Sequence, residues 1–275
     1  MTIIAMTREM GSLGKDVALG LAEALDLRIV HHELVEHDLA EWLGVKESAV
    51  HHYLEGGASL LERWKIDKQK LSRYTAREIF EFAQEGNIVI RGWGATALLR
   101  DVPNVLRIRV CAPMAFRERV MMERLGITDA RLVRREIERS DAAHARVVHG
   151  SFGLNWEDPL HYHAVFNTES TPIATCVRAV HLLTQETAFQ ETAETRSILQ
   201  DKLLALRIQS VLAERHGVGT GLSNIQVSVT NGFVILSGAV GHPSLPKVAM
   251  QTVREVPGVA DVESRLFAVA TRGGF

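Results

Sequence analysis

The chain has 275 residues, a length that suits about two domains of ordinary size. Its 31 Lys and Arg nearly balance 33 Asp and Glu, a net charge of −2 that excludes a histone-like polycation and an acidic solvating tail. With 46% hydrophobic and 23% charged residues it can build a sizeable core, which excludes disorder as its main theme. Cys111 and Cys176 have no CxxC partners and read as buried free thiols rather than zinc ligands or a disulfide. The opening apolar run, Ile3 to Met6, is too short for a signal h-region, and no stretch reaches a bilayer span, so a cytoplasmic protein is expected.

In chain order, Thr2 to Met6 reads as a strand and Gly14 to Leu25 as a helix, with Val17, Leu21, Ala24 and Leu25 at helical spacing. A short strand at 28–30 precedes a stretch of helical pattern over 33–85, broken at Gly44 and Gly56-Gly57. Strand 87–90, helix 96–100, strand 105–111, helices 113–125 and 129–145, a loop bearing glycine and aromatics, strand 164–167 and helix 172–186 follow. This alternation predicts a parallel α/β sheet. Residues 184–196, TQETAFQETAETR, read as a polar helical extension or tether, with a net charge of −4 over 1–196 and +2 over 197–275. Beyond it come a helix over 198–216, strands over 225–230 and 233–237, a helix over 244–256 and a strand over 261–269. The Asn231-Gly232 pair between the two strands predicts a type I′ hairpin and a small α+β domain of αββαβ order.

The stretch Thr7-Arg8-Glu9-Met10-Gly11-Ser12-Leu13-Gly14-Lys15-Asp16 joins the first strand to the first helix. Glycines there let backbone N–H groups face an anion, the helix N-terminus favours negative charge, and a lysine reaches the outer phosphates. The first glycine of GxxxxGK[ST] falls at Glu9, and Asp16 replaces the Mg²⁺-holding hydroxyl. The stretch is either a phosphate loop or a glycine helix start with a solvated lysine. Nine arginines lie between Arg107 and Arg139 against five acids. They suit polyphosphate, or alternate with glutamates on exposed helices; Arg135 and Arg139, one turn apart before Asp141, are the better functional candidates, and Arg124 and Arg131 belong with the exposed faces. The pairs His31-His32, His51-His52 and His161-x-His163 lack a partner at ligand spacing, so no metal site is expected from them. No basic-aromatic interleaving points to nucleic acid.

Together, MTREMGSLGKDVALGLAEAL, VPNVLRIRVCAP with Phe116-Arg117 and Met122-Glu123-Arg124, and Asn155-Trp156-x-Asp158-Pro159 with Tyr162 and Phe166-Asn167-Thr168 resemble the cytidylate kinase-like family of P-loop proteins. The resemblance implies a nucleoside monophosphate kinase-like parallel sheet with helices on both faces, and an ATP-dependent transfer of a γ-phosphoryl group to a cytidylate-like acceptor. It implies nucleotide binding at Gly11, Ser12, Leu13, Gly14, Lys15 and Asp16, with Asp16 as the candidate Mg²⁺ contact, and a monophosphate-binding insertion within 33–85. Lys15, Arg135, Arg139 and Arg146 are the candidate catalytic groups, and Arg91 and Asp141 the candidate substrate contacts. Trp93, His144 and His149 stand where relatives tend to carry arginine, which motivates an alternative, a catalytically weak nucleotide sensor that couples its nucleotide state to partner or membrane-surface binding through the second domain. The alternating Ile225-x-Val227-x-Val229-x-Asn231-Gly232-x-Val234-x-Leu236-x-Gly238 and Val256-x-Gly258-Val259-x-x-Val262 resemble a BON domain. That resemblance implies a homo-oligomer or a peripheral partner. The expected layout is a kinase-like domain over 1–187, a linker over 188–196 and a BON domain over 197–271.

Overall fold

Short apolar runs build the first sheet, buried on both faces over 3–7 and 88–91, while the edge run 164–167 alternates half-buried and exposed positions. In the computed structural model, which describes residues 1–31, 68–92, 94–216 and 223–269, they are β1 (Ile3–Arg8), β2 (Arg28–His31), β3 (Ile88–Arg91), β4 (Val105–Cys111) and β5 (Ala164–Asn167). All pairings are parallel, in the order β2-β3-β1-β4-β5. Helix α1 (Gly14–Leu25) and helix α6 (Ile173–Gln185) pack Val17, Ala18, Leu21, Cys176 and Val180 against Ile4, Met6, Val89 and Ile108. The alternate positions Ile3, Ala5, Ile88 and Ile90 are equally buried, beneath a layer to which α2 (Lys68–Glu85) contributes Ile79, Phe80 and Ala83. The expected doubly covered parallel sheet is therefore present. Residues 32–67, which carry most of the expected insertion, lie outside the described residues, as does Trp93.

Several boundaries move for identifiable reasons. Residue Asn87, expected in a strand, has φ 48 and directs its Oδ1 to accept from the Thr2 N–H (3.1 Å), so β3 starts one residue later and includes Arg91. The short helix contracts to α3 (Ala95–Leu98), and α4 (Met114–Leu125) begins after Pro113, which caps it. The helix expected to stop at 145 continues as α5 (Ala130–Phe152): Asp129 caps it by accepting from the Arg131 and Leu132 amides, and it ends only at Gly153, φ 66. The segment 184–196 is not one continuous helix. A 3-10 turn at Thr187–Phe189 follows α6, Phe189 packs against the first core, and α7 (Ala193–His216) starts where Thr192 and Thr195 exchange side-chain hydrogen bonds.

The chain divides into two compact units, Met1–Glu191 and Thr192–Phe275. In the second, α7 precedes β6 (Ser223–Thr230), β7 (Phe233–Val240), α8 (Leu245–Arg254) and β8 (Asp261–Ala268). Strands β6 and β7 pair antiparallel and β7 and β8 parallel, the crossover being supplied by α8. The hairpin turns at Asn231 (φ 50) and Gly232 (φ 77), as the type I′ geometry demands, and Asp201 of α7 accepts from both their amides (2.7 and 3.0 Å). Its core joins Ile208 and Leu212 of α7 to Val234, Leu236, Ala249 and Val253. No described helix is long and apolar enough to cross a membrane.

One feature of the first unit makes its stability pH-dependent. At the entry to β5, His163 Nδ1 accepts from the Arg107 N–H (2.9 Å), and the His163 N–H donates to the Arg107 carbonyl (2.8 Å). Burial, and then the Arg107 charge, hold His163 below its ordinary pKa of 6.5. The unfolded chain therefore takes up this proton first, and stability is lost as pH falls below about 6.5. We expect the melting temperature of His163→Asn, which keeps an acceptor, to fall less steeply between pH 7 and pH 5 than that of the wild type. Parallel curves would refute this.

Candidate functional site

Strand β1 lies between β3 and β4, so chain direction across the sheet reverses there; ligands of open α/β sheets gather at the carboxyl ends of such strands. The loop at that point is tightly built. The Glu9 N–H donates to the Val110 carbonyl (3.0 Å), and the Ser12 N–H closes a turn on the Glu9 carbonyl (3.3 Å). The turn passes through Gly11 at φ +78, where a Cβ would stand 2.7 Å from the Arg117 carbonyl oxygen. Ser12 is fully buried: its hydroxyl donates to the Glu9 and Val110 carbonyls (2.8 and 3.2 Å), and Thr168 Oγ1 donates to its carbonyl (2.7 Å). Ser12 thus shapes the loop, with both hydroxyl and amide used internally. Leu13, at φ 57, turns the chain into α1. Among the described residues the amides of Leu13, Gly14 and Lys15 have no acceptor, and they form the positive end of a twelve-residue helix.

Lys15 is exposed, with no acidic partner among the described residues. Asp16 pairs with Arg124 at 3.0 Å, which brings an arginine assigned to an exposed face beside the loop helix instead. Beneath the loop lies a closed set of charges. Glu9 Oε1 accepts from Arg109 (2.7 Å), and its Oε2 accepts from the Ala112 N–H (3.1 Å) and stands 3.5 Å from Arg117 Nε. Arg117 donates to Asp141 Oδ2 (2.7 Å) and, more weakly, to the Met10 carbonyl (3.4 Å). Two guanidinium groups and two carboxylates therefore neutralise one another, the arginines buried and the Glu9 and Asp141 side chains 12% and 20% exposed, and such pairing is the condition under which buried charge is tolerated. Arg109 also donates to the Trp156 carbonyl (2.5 Å) and lies 4.4 Å over the Trp156 ring. That carbonyl accepts from Tyr162 as well (2.6 Å), while Asn155 and Asp158 cap the flanking turns by accepting from the amides of Glu157 and Leu160. Burial, and next the Glu9 carboxylate, push the half-buried Cys111 thiol up, so it stays protonated at neutral pH.

Helix α5 divides the remaining candidates. Asp141 and His144 face the loop: His144 Nε2 lies 3.2 Å from Thr7 Oγ1, and its ring 4.4 Å from Trp156. Arg135, Arg139 and Arg146 are exposed, roughly 130–170° round the helix from the mean direction of the buried Val133, Ile137, Ala143 and Val148, at about 100° per residue. Arg139 pairs with Glu136 (2.7 Å), and His149 is exposed. The structure therefore brings Gly11, Ser12, Leu13, Gly14, Lys15, Asp16 and Asp141 to one place, but not the three arginines. Arg91 is buried at the carboxyl end of β3, in register with Met6. No group of three or more His, Cys, Asp or Glu able to hold a metal occurs among the described residues.

A model of the cytidylate kinase-like family matches residues 3–170. The chain belongs to this family. A BON domain model matches residues 200–270 of the second unit. Among solved structures, an uncharacterized protein from Eubacterium ventriosum is similar at 21% identity and a TM-score of 0.51, over 68% of this chain and 99% of that one. A shikimate kinase from Acinetobacter baumannii has 11% identity and a TM-score of 0.40, covering 68% and 96% of the two chains. A gluconokinase from Sinorhizobium meliloti has 14% and 0.39, covering 70% and 98%. At such identities the likeness concerns the fold alone. No curated protein matches the chain. The family motifs around Arg109, Trp156 and Thr168 brace the loop from behind. Arg109 carried a readable signal, a charge inside an apolar strand, since such a group is seldom buried without a partner.

Proposed function

We propose that this protein is an ATP-dependent nucleoside monophosphate kinase that transfers a γ-phosphoryl group to a cytidylate-like acceptor in the cytoplasm. One observation carries the reading: a braced loop at the sheet's crossover point delivers the amides of Leu13, Gly14 and Lys15 without acceptors among the described residues, with the exposed Lys15 in the same turn. That is the chemistry a polyphosphate needs, because phosphoryl transfer is catalysed mainly by positioning and by neutralising spreading charge.

In this reading the loop amides of Leu13, Gly14 and Lys15 and the Lys15 ammonium hold the outer phosphates, and Ser12 holds the loop's shape. Asp16 offers a single half-exposed carboxylate, which fits Mg²⁺, an ion that keeps most of its shell as water and phosphate oxygen. Asp16 would hold such an ion beside its pairing with Arg124, and the ion would supply neutralisation of phosphate charge. Arg91 and the loop-facing side of α5 border the acceptor side. Arg135, Arg139 and Arg146 contribute only when α5 turns its outer face inward. This last requirement favours a second reading, in which the chain binds nucleotide with little turnover and passes its ligand state to a partner or second copy through the BON domain.

A thermal-shift titration with ATP, CTP and their monophosphates separates the readings. A ligand at about a hundred times its Kd stabilises by roughly 2.7 kcal/mol, or about 5–10 °C for a unit of this size. A shift with ADP formation from ATP and cytidylate supports the kinase, and a shift without turnover the sensor. No shift with any nucleotide overturns both.

A further inference from the structure

We infer that Asp141, Arg117 and Glu9 form a positioning relay through which α5 sets the conformation of the loop at Gly11–Lys15. The inference rests on reading that loop as the phosphate site. Arg117 is the hub. Its carbonyl oxygen stands 2.7 Å from where a Cβ on Gly11 would be, so the first turn of α4 and the loop touch through their main chains. Its guanidinium reaches the Met10 carbonyl, Glu9 and Asp141, and its side chain is 7% exposed. Glu9 is itself held by Arg109 and by the Ala112 N–H, both supplied by β4 and the residues just after it. Three of the four charges thus belong to the loop, to β4 and to α4. Asp141 is the single member contributed by α5.

Asp141 therefore does two things. It completes the neutralisation of two buried guanidinium groups, and it makes the seating of α5 felt at Met10 and Gly11. When α5 is seated, Arg117 is shared between Asp141 and the loop. When it is not, Arg117 keeps only the Met10 carbonyl and a share of Glu9, which Arg109 also holds, so two buried guanidinium groups are left with one carboxylate and the net positive charge loosens the segment that carries it. Asp141 is on this account a positioning residue acting through Arg117, not a group that touches nucleotide.

The test is hydrogen exchange on the full chain without nucleotide, comparing wild type, Asp141→Asn, Asp141→Glu and Glu136→Gln, the last altering an exposed α5 carboxylate outside the relay. We expect Asp141→Asn to speed exchange of the Ser12 amide, the loop N–H held by the Glu9 carbonyl, by about tenfold, the loss of roughly one charge-assisted hydrogen bond. Peptides from β1 and β4 stay at wild-type rates, Asp141→Glu restores protection, and Glu136→Gln changes nothing. Unchanged loop exchange in Asp141→Asn, or uniform acceleration over the whole first unit, overturns the relay. Because no nucleotide enters this measurement, its outcome is independent of whether the wild type binds one, and failure of the proposed function is read separately from the thermal shift.

Discussion

On the proposed function, Lys15→Ala is expected to lower the rate of ADP formation from Mg-ATP and cytidylate about a hundred- to a thousandfold, the range found when one preorganised donor to a developing charge is removed. The side chain is exposed and has no acidic partner among the described residues, so its loss leaves the fold intact and the melting temperature of the free protein unchanged. The loop amides remain, fixed by the Glu9–Ser12 turn and by Thr168, so nucleotide still binds, more weakly. Steady-state rates measured beside a thermal melt check this. A variant within threefold of wild-type activity would sink the role given to Lys15, and with it the assignment of the loop.

Arg109→Met produces the largest loss of stability. The substitution keeps much of the stem but removes the donor to Glu9 Oε1 and to the Trp156 carbonyl, together with the cation over the Trp156 ring. Glu9, Arg117 and Asp141 are then left with an uncompensated negative charge in a site that water scarcely reaches. Breaking a buried pair from one side costs about 3 kcal/mol or more, a fall of roughly 6–12 °C in the melting temperature of a unit this size. The double variant Glu9→Gln/Arg109→Met recovers part of that loss, because the orphaned carboxylate is gone. Thermal denaturation of the two variants and the wild type decides it. A drop below 2 °C in the single variant would mean that the ion pair is dispensable.

Much of the fold was legible in the chain. Short apolar runs such as Ile3 to Met6, and the β-branched run Val105 to Cys111 with its two arginines, suit strands of a covered sheet, and the amphipathic stretches between them favour a parallel sheet with crossovers. Asn231-Gly232 announced its hairpin because few residue pairs accept positive φ twice in succession. Boundaries were less legible where a cap decides them. Helix α5 runs through Gly150 to Phe152 because the positive-φ residue that ends it is Gly153, and the polar segment 184–196 contains a turn because Phe189 is drawn into the first core.

The candidate site was legible in one half only. A glycine-bearing loop between a strand and a helix, ending in Gly14-Lys15, carries its chemistry in local backbone geometry, which neighbours in sequence dictate. That much the sequence determined by itself, along with the family, two domains and the balance of charge between them. Which arginines meet the loop was decided by tertiary structure. Sequence spacing favoured Arg135 and Arg139, yet the seating of α5 on Val133, Ile137 and Val148 turns both outward. Arg109 and Arg117 are brought instead, from 100 and 108 positions along the chain, against Glu9. The physical reason is that a helix's apolar stripe chooses which face it buries, and a buried charge is stable only beside a counter-charge that some other element must deliver.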